Sequence, residues 1–207
     1  MQRRQFIARA SLLAATLAAG FAAMPAHAQA DKFPQRPIRL VVGYTAGGST
    51  DIPFRVLAEN ASKILGQPVI VENKPGAGGV LPAQMMQSTQ PDGYTLAQVS
   101  MPVFRLPYTT KINWDPVKDL TYVINLAGYS FGLVVPADSP IKTMQDYIAY
   151  AKANPGKLTY GSPGTMTTLH LTMEDLAMRQ GVQFSHIPYK GNSESMQALL
   201  GLSLIHI

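Results

Sequence analysis

The sequence predicts an α/β protein built on parallel strands, and three observations carry that reading. A β-branched apolar run bounded by Pro and Gly stands at Pro37–Gly43 (PIRLVVG), as expected of a strand covered on both faces. The order strand, glycine loop, helix then occurs twice between Pro37 and Ser88. Strands and helices keep alternating as far as Leu200, and alternation of this kind requires crossover connections between parallel strands.

Each element follows from local signals. After the first strand comes the loop Tyr44–Asp51, then apolar residues at Ile52, Val56, Leu57, Ile64 and Leu65, a helical spacing closed by Gly66. Pro68–Glu72 is the second strand, Asn73–Gly79 its loop, and Val80–Ser88 the next helix. Pro91-Asp92-Gly93 is a turn and Tyr94–Ser100 the third strand. Beyond a loop containing Pro and Asn, Thr121–Leu126 and Phe131–Val135 read as further strands. Ser139-Pro140 opens a helix that runs to Ala153 and stops at Asn154-Pro155-Gly156. Leu158–Gly161 is a strand, Ser162–Thr168 a small-polar loop, Leu169–Arg179 a helix ending at Gly181, and Phe184–Pro188 a strand. Asn192 or Ser193 caps a last helix through Leu200.

Composition shortens the list of functions. The 207 residues, 46% hydrophobic and 14% charged, hold enough apolar material for one or two modest cores. The absence of Cys removes Cys-ligated zinc, iron–sulfur clusters and thiol nucleophiles, leaving at most a His/Asp/Glu metal site. The 10 Met and Trp114 read as core filling. The net charge of +5 invites a nucleic-acid reading, and the position of that charge removes it. Residues 1–28 carry Arg3, Arg4 and Arg9, an Ala/Leu stretch from Ala10 to Ala23, and Ala26-His27-Ala28, which together make a cleavable export leader cut after Ala28. The stretch is short, interrupted by Ser11 and Thr16 and closed by Pro25, so a membrane-spanning helix fits it less well. Arg3-Arg4-Gln5-Phe6-Ile7 resembles a twin-arginine signal, but arginine pairs also open ordinary secretory leaders, so the export route stays open. Without the leader, fourteen Lys and Arg face twelve Asp and Glu, a net +2. These cations are scattered singly from Lys32 to Lys190, so no nucleic-acid partner is expected. A cleaved leader on a cysteine-free chain points to a bacterial periplasm.

A loop that follows a parallel strand and opens a helix presents backbone N–H groups and a positive helix end, so it attracts anions without a side-chain cation. Tyr44–Asp51 fits that description. Gly-Lys-Ser/Thr does not occur, and Leu81 stands where a dinucleotide fingerprint needs its third Gly, so nucleotides are disfavoured. The same glycines also serve tight turns, the simpler reading for Gly76–Gly79. Ser162–Thr168 offers hydroxyls and amides before a helix, although Thr167 or Thr168 also reads as an ordinary cap. His170 and His186 read as packed, hydrogen-bonded residues rather than catalysts. Gly161-Ser162-Pro163-Gly164 is one residue short of a nucleophile elbow, and no paired-carboxylate cluster occurs. A triad of Ser49, His170 and Asp51 stays open without any residue pattern pointing to it. No catalytic residue, no metal site and no cofactor is expected.

Six segments taken in order carry a family resemblance: PIRLVVGYTAGGSTDIPFRVLAE, GQPVIVENKPGAGGVLPAQ, PDGYTL, WDPVKDLTYV, the SPG…HL loop and HIPYKG. From about Phe33 to Gly201 the chain resembles the tripartite tricarboxylate transporter substrate-binding proteins, the Bug family of periplasmic receptors. The resemblance implies a two-domain, periplasmic-binding-protein-like (Venus flytrap) α/β fold, incomplete at the C-terminus, with residues 29–125 in the first domain and 126–201 in the second. It implies a cleft for a small carboxylated ligand held by backbone amides, hydroxyls and ordered water. Carried over by position, the contacts fall at Tyr44, Ala46, Gly47, Gly48, Ser49, Thr50 and Asp51, and at Ser162, Gly164, Thr165, Thr167 and His170. Two departures bear on ligand identity: Gly43-Tyr44 stands where the family usually has Pro-Phe, and Met166 where a small Gly is common. The implied partners are the membrane permease subunits of a tripartite transporter, or a sensor kinase if the protein is a co-receptor, with a monomer expected at full length. A secreted α/β hydrolase or isomerase is the alternative from the enzyme class. Family members are longer, so the chain reads as truncated, and Leu202–Ile207 matches one translation of a common sequencing adaptor and is expected to be non-native.

Overall fold

The computed structural model describes residues 32–201; the leader at 1–28, its cleavage site and the terminal segment 202–207 lie outside the described residues. Two parallel sheets organise the chain. In the first, β1 (Ile38–Val42), β2 (Val69–Asn73) and β3 (Thr95–Ala97) run in the order β2-β1-β3, with both neighbours parallel to β1. Ile38 pairs with Val69, Val42 with Asn73, and Leu40 with Leu96. The central place of β1 explains its apolar run: Leu40, Val41 and Val42 are buried, and the exposed Arg39 reaches across the ladder to Glu72.

Parallel neighbours require crossovers. Helix α1 (Asp51–Leu65) returns the chain from β1 to β2 and ends at Gly66, whose φ of 69° lets its N–H reach the Ser62 carbonyl. A 3-10 turn at Ala77–Gly79 and helix α2 (Leu81–Met86) lead from β2 to β3, and α3 (Met101–Thr109) follows. Val80, Ala83 and Val103 form a core here, with Trp114 packed against it as expected from the sequence.

Helix α4 (Met144–Ala153) precedes the second sheet, in which β4 (Thr159–Ser162) and β5 (Ser185–Pro188) pair in parallel with Thr159 opposite Ser185. Helix α5 (Thr168–Gln180) makes their crossover, and α6 (Asn192–Leu200) follows β5. Ile141, Tyr147, Ala151, Leu158 and Val182 form the core under α4, while Tyr160 packs on Leu199 of α6.

The structure corrects several sequence expectations. Thr121–Leu126 and Phe131–Val135 are not strands: Val123 and Ile124 are 77% and 72% exposed, and among the described residues no strand runs beside them. β-branched composition favours a strand only where a partner exists to complete the ladder. The stretch after Ser100, expected as loop, begins with α3, opened by Pro102 in its first turn. The third strand is shorter than Tyr94–Ser100. Helix α4 starts at Met144 rather than Ser139, because Thr143 and Asp146 form a reciprocal capping box, with the Asp146 N–H on Thr143 Oγ1 at 3.1 Å and the Thr143 N–H on Asp146 Oδ2 at 2.9 Å. Ser139 makes a local turn instead, accepting from the Ile141 N–H. Neither Asn192 nor Ser193 caps α6; Gly191 holds that place and both side chains reach elsewhere. In α1 the apolar stripe that reveals the helix is not its buried face: Asp51 and Ala58 are buried, whereas Ile52, Val56 and Ile64 are exposed.

Leu158→Ala, at a fully buried position, is expected to lower unfolding stability by about 2–5 kcal/mol. Thr143→Ala removes one cap and is expected to cost about 1 kcal/mol. Urea unfolding of both variants beside the parent chain checks the ordering, and a larger loss from Thr143→Ala than from Leu158→Ala would contradict the placement of the core.

Candidate functional site

The carboxyl ends of all five strands open into loops that meet one another, the place where open α/β sheets hold ligands. Within the first sheet, the Tyr44 hydroxyl donates to the Gly78 carbonyl at 2.9 Å and Ser100 Oγ to the Gly79 carbonyl at 3.2 Å. Burial pushes the Tyr44 phenol above its ordinary pKa, so it stays a neutral donor.

Contacts between the two sheets' loops are polar and close. The Thr45 N–H donates to the Lys190 carbonyl at 3.3 Å, and Thr45 Oγ1 lies 2.7 Å from Ser193 Oγ. Asn192 Nδ2 donates to Ser49 Oγ at 2.8 Å. From α3, Arg105 donates to the Met166 carbonyl at 2.7 Å and to Thr168 Oγ1 at 3.1 Å. Gly78, at φ 63°, approaches the second sheet's loop so closely that a Cβ there would lie 2.6 Å from the Thr165 carbonyl oxygen.

Asp51 organises the first loop. Its side chain is 1% exposed, and its Oδ2 accepts from the Gly47 N–H and from Arg55 Nε, both at 2.8 Å, while Oδ1 accepts from Asn73 Nδ2 at 2.7 Å. Burial by itself would raise the carboxyl's pKa; the hydrogen bonds from Arg55, Gly47 and Asn73 outweigh it and hold the group below the usual aspartate range. Asp51 thus supplies, from within the chain, an anion for the start of α1.

Apart from Arg105, the second loop is held by hydroxyl, imidazole and backbone groups. Ser162 Oγ, buried, accepts from the Gly164 N–H at 3.2 Å and lies 2.7 Å from His186 Nε2. Thr167 Oγ1 donates to the Gly164 carbonyl at 2.7 Å and caps α5 by accepting from the His170 N–H at 3.4 Å. Met166 sits at φ 62°, the left-handed backbone that the small Gly common in the family adopts freely. Its N–H donates to His170 Nδ1 at 3.1 Å.

The residues expected from sequence therefore divide. Ala46, Gly47, Ser49 and Thr165 are exposed at the meeting of the loops; Tyr44 is half-buried, and Gly48, Thr50 and Gly164 are buried within it. Thr50 Oγ1 lies 3.1 Å from the Tyr129 hydroxyl. Asp51, Ser162, Thr167 and His170 are engaged in fixing the loops themselves. No hydrogen bond joins Ser49, His170 and Asp51 into a relay, since Asp51 serves Gly47, Arg55 and Asn73. Among the described residues, no group of three or more His, Asp or Glu could hold a metal. A groove between α4 and α5, lined by Met144, Ile148, Leu176 and Gln180, is made by helices and not by these loops.

Sequence reasoning missed Thr45, Arg105, Asn192 and Ser193. The signal for the last two was present: HIPYKGNSE repeats the grammar of strand, glycine and polar helix start seen at Tyr44–Asp51. Arg105 carries no such signal, because the Pro- and Asn-containing stretch after Ser100 predicts a loop where α3 stands.

The profile described as "Tripartite tricarboxylate transporter family receptor" matches residues 53–206. The chain belongs to that family. A Cupriavidus necator protein, "UPF0065 protein in gbd 5'region", is 90% identical over 201 residues, covering 97% of this chain and 62% of that one. An R. palustris protein solved with adipate has a TM-score of 0.74 at 30% identity, and the structure of periplasmic binding protein BugD 0.71 at 32%; each match covers 83% of this chain and 58% of the other. The chain thus spans about three-fifths of the length of these relatives, and its α/β fold is of the periplasmic-binding-protein kind. No helix among its described residues is long and apolar enough to cross a membrane.

Asp51→Asn keeps the shape and removes the charge that Arg55 faces. The expected cost at neutral pH is about 1.5–3 kcal/mol, the range for hydrogen bonds to a charged group. Because the folded carboxyl titrates below its unfolded value, this stability is fully present above the ordinary aspartate range and is lost progressively as pH falls from that range through the lowered folded value. Unfolding curves at pH 7 and pH 3 should therefore differ less for the variant than for the parent; an equal difference would show that Asp51 contributes nothing to acid sensitivity.

Proposed function

We propose that the receptor is a periplasmic solute-binding protein that captures a small carboxylated organic solute between the loops of its two sheets, for delivery to a tripartite tricarboxylate-type permease. The observation that carries this reading is the meeting of hydroxyl and amide side chains from both sheets at the strands' carboxyl ends, with Thr45 on Ser193 and Ser49 on Asn192. Such groups suit a carboxylate, which accepts several directional hydrogen bonds at once. The starts of α1 and α6 lie beside these pairs, and their dipoles favour negative charge there. The bound adipate of the R. palustris relative is a ligand of this class.

In this reading the solute's carboxylate replaces the Ser49–Asn192 and Thr45–Ser193 pairs and is shared between the sheets, with Gly48, Thr50 and Thr165 in reach. A helix start contributes roughly 0.3–2 kcal/mol to an anion, and each hydrogen bond to a charged group about 1.5–3 kcal/mol. Four or five such contacts, offset by association and ordering, arrive near −8 kcal/mol, about micromolar affinity. That strength suits capture followed by release. No bond is made or broken, so no nucleophile is needed.

Calorimetry of the full chain with adipate, shorter dicarboxylates and tricarboxylates tests the proposal, with saturable one-to-one binding of at least one acid expected near micromolar. Ser49→Leu fills the exposed hydroxyl's place with a bulky apolar side chain and should abolish that heat while leaving the unfolding transition in place. Undiminished binding in this variant would put the ligand elsewhere.

A further inference from the structure

Beneath the second loop two imidazoles lie face to face, the rings of His170 and His186 stacked with centroids 4.1 Å apart. His170 comes from the first turn of α5 and His186 from β5. Because the Met166 N–H can only donate, His170 Nδ1 must accept, which fixes its neutral tautomer with the proton on Nε2. That Nε2 lies 3.7 Å from Glu174 Oε1, one turn along α5, and Glu174 also accepts from the Tyr160 hydroxyl at 2.9 Å. On the sheet side, His186 stacks on Tyr160 and its Nε2 meets Ser162 Oγ. From α3, Arg105 holds the Met166 carbonyl.

Met166 is thus gripped at both ends of its backbone, by a permanent cation at the carbonyl and by a titratable base at the N–H. It needs the grip, because φ 62° is a conformation that a residue with a side chain adopts reluctantly. We infer that His170 is a positioning residue rather than a ligand contact, and that only its neutral imidazole holds the second loop in the form that meets the first.

The chemistry of protonation supports the assignment. A proton on Nδ1 turns the acceptor into a donor and sets two N–H groups against each other, so the Met166 bond is lost. The same proton places a positive ring against His186, whose own ionisation is already disfavoured by burial and then by the charge of His170, with Glu174 acting the opposite way. Glu174, half-exposed, faces the Nε2 side of the His170 ring. Protonation at Nδ1 therefore loosens the loop, and a solute clasped there is released.

This inference rests on the proposed solute site only for its binding arm, and the first experiment needs no ligand. In the 15N-labelled full chain, the Met166 amide proton and the His170 ring carbon are followed by NMR from pH 8 to pH 5. The two are expected to shift together with one midpoint; a Met166 amide that stays unchanged while His170 titrates overturns the assignment. The second compares adipate affinity at pH 7.5 and pH 5.5 for the parent and for His170→Asn, whose Oδ1 replaces Nδ1 as an acceptor that does not titrate. The parent is expected to lose up to about tenfold in affinity per pH unit below the His170 midpoint. The variant should retain only the ligand's own, shallower pH dependence, and an equal slope in both overturns the inference. Failure of adipate and the other acids to bind the parent at pH 7.5 counts against the proposed solute site, leaving the NMR arm to decide the role of His170.

Discussion

The carboxylate of Asp51 ties together three pieces of chain that would otherwise end independently. Asn73 is the last residue of β2, Gly47 belongs to the loop after β1, and Arg55 lies one turn into α1. All three donate to the same buried group. A carboxylate this enclosed is tolerated only when its lone pairs are filled and its charge is met, and here both conditions hold. With the first loop fixed in this way, Thr45 and Ser49 are carried at set positions toward the second sheet. The loop that carries these hydroxyls is therefore held from below by a buried charge.

The second sheet solves the same problem without a buried charge. Ser162, Thr167, His170 and His186 satisfy one another and the loop backbone between Gly164 and Met166. The physical difference is one of pH range. An aspartate held below its usual pKa keeps its charge throughout the neutral range, whereas the acceptor role inferred for His170 ends when Nδ1 takes up a proton.

Much of this was legible in the sequence because the grammar of parallel strands is local. PIRLVVG, PVIVE and the glycine loops after them needed no tertiary information, and β1, α1, β2, α5 and β5 stand within a residue or two of their expected limits. What failed depended on partners. Val123 and Ile124 carry strand composition but no neighbouring strand among the described residues, so composition misled. Thr143 outcompeted Ser139 as a cap because Asp146 answers it three residues on, a reciprocal pattern that single-residue signals overlook. Asn192 and Ser193 look like caps because their side chains are polar and stand at a helix start. The structure sends them instead to Ser49 and Thr45, a choice made by a loop nearly 150 positions away in the chain. Loops that follow strands were readable because their signals are local; the contacts of Asn192 and Ser193 were not, because their partners lie far away in sequence.

The contacts between the two sheets' loops are of a particular strength. Single hydrogen bonds between neutral groups contribute roughly 0.5–1.5 kcal/mol each once water's competing bonds are counted, and those from the Arg105 guanidinium about 1.5–3 kcal/mol. A handful of them holds the loops together by only a few kcal/mol. The backbone approach at Gly78 adds shape without adding much attraction, since a glycine there mainly avoids a collision with Thr165. An arrangement of this kind is stable enough to exist and weak enough to open. In the proposed receptor role, a carboxylate that exchanges neutral pairs for charge-assisted bonds binds the closed form better than the open one, and that difference alone shifts the population. A stronger fixed bridge, such as an ion pair buried between the loops, would keep them closed whether or not a solute were present. The hydroxyls and amides at Thr45, Ser49, Asn192 and Ser193 leave the ligand as the deciding contact.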